Sequence, residues 1–147
     1  MNAYKKLLLA AMAFVIPPAL SDIPESSVPA AAVSGVKGAY PNAGVIEWDS
    51  SGQGRLYEAE FMINGFQFDV KVTPAGKIVR IKEKIAVSSL PEAVRSAALK
   101  RYPGGRIKES EKVTEGDLVC YKVEVVNNQD DYDVLIAPDG NILYVDY

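Results

Sequence analysis

The chain has 147 residues, enough for one ordinary domain or two very small ones, and its 48% hydrophobic and 24% charged content is that of a globular protein. It carries 16 basic against 19 acidic residues, a single cysteine (Cys120) and no histidine. An intramolecular disulfide, a Ser-His-Asp triad, a Cys-His pair and a histidine-based zinc site within the chain are therefore excluded, and the absence of a basic stripe argues against nucleic acid as a partner.

Residues 1–21 have the three-part layout of a secretory signal peptide. Lys5 and Lys6 are followed by an apolar run from Leu7 to Ile16, then Pro17-Pro18, with Ala19 and Ser21 at the small-residue positions of a cut before Asp22. The run is short for a membrane span, which needs about 20 apolar residues. The expected product is a periplasmic or secreted protein cut after Ser21 and left with no stable membrane anchor. Without Lys5 and Lys6 the 16 basic residues become 14 against 19 acidic ones, so the mature chain is mildly acidic. Residues 22–26 read as a short flexible leader.

Residues 27–82 and 89–147 read as two copies of one unit, with 83–88 as connector. Pro29 and Tyr40-Pro41 of the first match Pro91 and Tyr102-Pro103 of the second, each 62 positions on. Tyr57-x-Ala59-x-Phe61 and Pro74-Ala75-Gly76-Lys77-Ile78 match Tyr121-x-Val123-x-Val125 and Pro138-Asp139-Gly140-Asn141-Ile142, each 64 on. One two-residue insertion accounts for the change of offset.

Each copy opens with a helix. Ser27 is expected as the first cap, with Ala32, Val36 and Ala39 on the apolar face, although Gly35 and Gly38 each weaken that helix by about 1 kcal/mol against alanine. In the second, Ser89-x-x-Glu92 has the spacing of a capping box, and Leu90, Val94, Ala97 and Ala98 form the stripe. Tyr102-Pro-Gly-Gly105 stops it.

Strands follow by period-two alternation. In the first copy a weak strand around Val45–Trp48 precedes Leu56–Ile63, the Asn64-Gly65 hairpin signal, Phe66–Val72 and Ile78–Ile81. In the second, Arg106–Val113, Val119–Val126, Asp131–Ala137 and Ile142–Val145 are the counterparts. Tyr57, Ala59, Phe61 and Ile63 alternate with Glu58 and Glu60, which predicts one buried and one wet face. The expected fold class is α+β: two tandem repeats, each a helix on a curled antiparallel sheet of about four strands.

Leu90-Pro-Glu-Ala-Val94, Tyr102-Pro-Gly104, Tyr121-Lys-Val-Glu-Val125 and Asp139-Gly-Asn-Ile-Leu143 together resemble the PepSY-like family, also described as β-lactamase-inhibitor-like. The resemblance covers nearly all of the mature chain and implies an exported, periplasmic protein with the fold of the β-lactamase inhibitor protein. The first copy departs from it at Ala75-Gly76 and at Ala59. These motifs are caps, turns and core positions, so they carry a fold rather than an activity.

Four features bear on chemistry. Asn127–Asp133 is the richest set of oxygen ligands, but it lacks the order of an EF-hand loop and occupies the place of a hairpin turn. Asp139 with Glu124, or Glu58 with Glu60, are the carboxylate pairs available for acid–base work on a glycoside, which needs two carboxyls opposed across a cleft, whereas Glu58 and Glu60 share the wet face of one strand. Cys120 lacks a neighbouring motif that would activate its thiol. Trp48, Phe66, Tyr144 and Tyr147 have no clean counterparts between copies and are the candidate partner-binding residues, Trp48 being expected half exposed between Glu47 and Asp49. No catalytic residue, metal site or cofactor is expected. The reading is a non-catalytic exported module that binds or inhibits a protein or peptide in the periplasm. The alternative is a periplasmic carrier or sensor of a small ligand or ion.

Overall fold

The computed structural model describes residues 22–146. The expected signal peptide and Tyr147 lie outside the described residues. The chain divides into two compact units at the Glu83–Lys84 bond.

In the first unit, helix α1 (Ala30–Ala39) is followed by four strands, β1 (Glu47–Ser51), β2 (Leu56–Ile63), β3 (Phe66–Val72) and β4 (Ile78–Lys84). They form an antiparallel meander with consecutive neighbours. The β2–β3 turn is the expected one: Asn64 and Gly65 both take positive φ, at 51° and 84°, the backbone a two-residue hairpin of type I′ requires. Ala32 and Val36 of α1 pack on Trp48, Ala59, Phe61, Val70 and Val72, giving a core on one face of the sheet. Tyr40, at the end of α1, stands over Phe61 and Phe68, whose rings stack 5.6 Å apart.

The second unit has the same order of elements. Helix α2 (Glu92–Arg101) precedes β5 (Arg106–Glu115), β6 (Leu118–Asn127), β7 (Asp130–Ile136) and β8 (Ile142–Asp146), again an antiparallel meander. Leu90, Val94, Ala98 and Tyr102 cover Val123, Val125, Val134 and Ile136. Tyr102 stacks on Tyr132 at 4.3 Å.

Three expectations change at the helix ends. Neither serine is a cap: Pro29 and Pro91 occupy the N-cap positions, with no side-chain cap bond. Ser27 and Ser89 instead close short 3-10 turns, Glu25–Ser27 and Val87–Ser89. The capping box therefore does not form, and Glu92 accepts instead from the Ser96 hydroxyl at 2.8 Å. Residues 22–26 are not a loose leader. Asp22 bridges Asp49 antiparallel, the Ile23 N–H donates to the Trp48 carbonyl at 2.8 Å, and Ile23 packs on the core.

Gly35 is not simply a weak link. A Cβ there would overlap the Gly76 carbonyl, and one on Gly76 would overlap the Ala31 carbonyl. The helix thus rests directly on the turn between β3 and β4, with Gly76 at φ 88°, a conformation that L side chains disfavour. Gly140 makes the same approach to the Ala93 carbonyl in the second unit.

Candidate functional site

With each helix on one sheet face, the opposite face of each unit is uncovered within that unit. Strand register arranges its side chains in rows. In the first unit one row reads Asp49, Glu58, Lys71, Arg80 across β1 to β4. The next reads Glu47, Glu60, Asp69, Lys82.

This face is not the simple wet one expected from the alternation. Asp49, Glu58 and Arg80 are only 5%, 7% and 7% exposed. Long charged side chains lie down along a sheet and cover one another, which buries their stems. Lys82 reaches Asp69 at 2.8 Å and Lys71 reaches Glu58 at 3.5 Å.

Among the described residues no ion pair is made by Glu47, Asp49 or Glu60. One carboxylate oxygen of Asp49, Oδ1, is buried with no hydrogen-bond partner. Burial, then the charges of Asp22, Glu58 and Glu47, hold its carboxyl above the usual range. Burial and the neighbouring Asp69, Glu58 and Asp49 do the same to Glu60, against the opposing pull of Lys82. At the end of these rows stand Val45, 87% exposed, and Met62, 49% exposed. Val45, Glu47, Glu60, Met62 and Gln67 surround one shallow hollow.

The second unit's face is built differently. Its acidic row, Glu109, Glu124, Asp133 and Asp146, is matched by lysines: Lys84 on Glu109 at 3.0 Å, Lys108 on Glu124 at 2.7 Å and Lys122 on Asp133 at 2.7 Å. Burial pulls the Lys122 ammonium down, but its bond to Asp133 and the charges of Asp133, Glu111 and Glu124 leave it above its ordinary value. Beside that row Val113, Cys120 and Leu135 form a small apolar cluster with Leu118, Leu143 and Tyr144.

Of the candidate residues, Trp48 is a correction. It is 2% exposed and belongs to the first unit's core. It lies opposite Ala59, whose small side chain leaves room for the indole, while its charged neighbours Glu47 and Asp49 point to the other face. The indole N–H donates to Glu25 at 3.4 Å, and Lys37 donates to the same carboxylate at 2.7 Å. The Lys37 bond, helped by the indole and opposed by burial, holds Glu25 below the usual carboxylate value. Phe66 is 42% exposed at the hairpin end, on the parity of the helix-facing residues. Tyr144 is half-buried against Leu135 on the opposite face of the second unit. Phe66 and Tyr144 thus belong to different units and different faces, and Tyr147 is outside the described residues. What sequence reasoning missed is the Asp49–Glu58 pair. The signal was available as register: equal spacing about the β1–β2 turn places the two carboxylates opposite each other.

The remaining features have structural roles. Asn127–Asp133 is the β6–β7 hairpin, with Asn128 at φ 61° and Asp131 and Asp133 accepting from lysines. Among the described residues no group of three or more acidic or cysteine side chains is placed to hold a metal ion. Asp139 accepts from the Asn141 N–H at 3.0 Å within its turn, and Glu124 is held by Lys108. Cys120 is fully buried.

Residues 91–146 match the PepSY family, described as "Peptidase propeptide and YPEB domain". The fold is similar to a candidate periplasmic protein from Bacteroides eggerthii, at 25% identity and TM-score 0.71 over 81% of this chain and 88% of that one. It is also similar to a DUF2874 family protein from Bacteroides uniformis, at 27% identity and TM-score 0.69 over 81% and 88%. A BLIP-like protein from Bacteroides fragilis shares the fold at 18% identity and TM-score 0.66 over 92% and 90%. No curated protein matches the sequence. No described helix is long and apolar enough to cross a membrane.

Proposed function

On the premise that residues 91–146 are a PepSY domain within a PepSY-like, BLIP-like chain, we propose a non-catalytic, exported module that binds a protein or peptide in the periplasm. The chain is read as two copies of one helix-plus-four-strand unit, the duplication providing two uncovered sheet faces. Export rests on the signal-peptide layout of residues 1–21, and the periplasmic description of the Bacteroides eggerthii protein supports it.

The observation that carries this reading is the form of the uncovered faces. Both hold ordered rows of charge, the first unit's face adds the exposed Val45 and Met62, and the hollow between Val45 and Gln67 is a shallow surface feature. A protein surface fits such a face, whereas a small-molecule carrier needs a concavity that encloses most of its ligand. The PepSY description names a peptidase propeptide, and inhibition of the bound partner is the finer form of the proposal.

Photo-crosslinking in an exporting cell tests it. A photoreactive residue at Met62 or Tyr144, on the sheet faces, should give a discrete, saturable protein adduct. The same residue at Leu99, 37% exposed on α2, should not. Equal background from all three positions would contradict the proposal.

A further inference from the structure

Resting on the protein-binding reading above, we infer that the β1–β3 face of the first unit is the docking surface, and that its partner presents a lysine or arginine beside apolar side chains. Charge balance distinguishes the two faces. In the second unit lysines pair with three of the acidic row's four carboxylates, Glu109, Glu124 and Asp133, at 2.7–3.0 Å. In the first unit Glu47, Asp49 and Glu60 have no such cation among the described residues, and Asp22 adds a further carboxylate beside Asp49. Like charges placed directly across strands repel each other, so Glu47 opposite Glu60 is an unfavourable pairing unless a cation is supplied, and Asp49 opposite Glu58 is relieved only on the Glu58 side, by Lys71 at 3.5 Å.

Asp49 gives the independent sign. It is 5% exposed, sits within this row, and keeps Oδ1 without a partner. A buried acceptor left unpaired is a standing penalty, and such groups call for an explanation. A guanidinium or ammonium docked over Glu47 and Glu60 offsets the negative charge that crowds Asp49, and arginine does so with a planar fork of donors. The neighbouring Val45 and Met62 specify a protein segment over a small polyamine. They are exposed at 87% and 49% at the end of the same strip, where an apolar side chain next to the cation covers them.

Selection of a random dodecapeptide phage library on the full chain tests the inference. Selected peptides should pair Lys or Arg with an adjacent apolar residue and bind less tightly as salt is raised. Their affinity should fall about tenfold or more, a change of about 1.4 kcal/mol, in Glu47→Gln/Glu60→Gln and in Met62→Ser. Leu99→Ser should leave it unchanged. Peptides without a basic residue, or binding indifferent to Glu47 and Glu60, would overturn this surface and leave the protein-binding reading standing. Failure of any peptide to bind would overturn both. Binding of spermidine as tightly as the peptides, or self-association abolished by Glu47→Gln/Glu60→Gln, would replace the protein segment with another occupant and so overturn the inference.

Discussion

The helix-facing and uncovered sides of the two units differ between the units to different extents. Facing the helices, Ala59, Phe61, Val70 and Val72 of the first unit stand where Val123, Val125, Val134 and Ile136 stand in the second, and all eight are buried. On the uncovered faces Glu58, Lys71, Arg80 and Lys82 correspond to Lys122, Leu135, Tyr144 and Asp146. The helix-facing positions carry similar chemistry in the two units, and the free-face positions do not. Apolar burial tolerates exchange among residues of similar shape, but a charge row has a definite balance, and one lysine more or less changes what the face attracts.

The largest expected effect is on the shared side. Ile136 is fully buried, so Ile136→Ala should cost about 3 kcal/mol by loss of transfer energy and formation of a cavity. Denaturant unfolding should show a lower midpoint at unchanged slope. The two glycines of α1 sharpen the comparison of the helices. Gly38 faces open space, so Gly38→Ala should stabilise by about 0.5–1 kcal/mol from helix propensity. Gly35→Ala should do the reverse, costing about 2 kcal/mol, because its Cβ meets the Gly76 carbonyl. A stabilising Gly35→Ala would mean that α1 does not rest on that turn.

Asp49→Asn breaks the unbalanced row. It should raise stability at neutral pH by about 1 kcal/mol, since an amide replaces a buried carboxylate crowded by like charges. The sign in pH follows from the raised carboxyls of Asp49 and Glu60. Between their ordinary values, 3.8 and 4.5, and their raised ones, the native state holds more protons than the unfolded state. Their contribution to stability is therefore full below the ordinary values and is lost as pH rises through the raised ones. The groups facing Asp49 are Asp22, Glu47 and Glu58, with Lys71 across β2. Melting curves from pH 4 to 8, a range of about four units around the usual carboxylate values, should fall less steeply toward neutrality for Asp49→Asn than for the wild type. The smallest effect is on the balanced row. Lys122 and Asp133 are 39% and 38% exposed, so Lys122→Ala should cost about 0.5 kcal/mol or less and lose even that in high salt.

Much of this fold was legible in the sequence, because period-two alternation and paired turn residues report backbone geometry directly. Asn64-Gly65, the strands from Leu56 to Val72 and the helix ends at Tyr40 and Tyr102 lie where the residues put them. The serine caps were misread because Pro29 and Pro91 lie between each serine and its helix, and proline's fixed φ starts the helix without a side-chain bond. Trp48 was misread because its charged neighbours in sequence are not its neighbours in space. Alternation alone marks the face holding Asp49, Glu58 and Arg80 as wet, because it distinguishes two sides but does not tell how far side chains cover each other. The site was therefore not legible: it depends on which carboxylates lack a lysine, and that follows from register across four strands, not from any local motif.

The central claim is that binding belongs to the first unit's unbalanced face. Backbone amide NMR of the full chain, titrated with a lysine- or arginine-containing peptide from the selection, tests it directly. Shifts should be confined to Val45, Glu47, Asp49, Glu58, Glu60, Met62 and their neighbours. Shifts centred instead on Leu118, Leu135, Leu143 and Tyr144, the apolar cluster of the second unit, would contradict it.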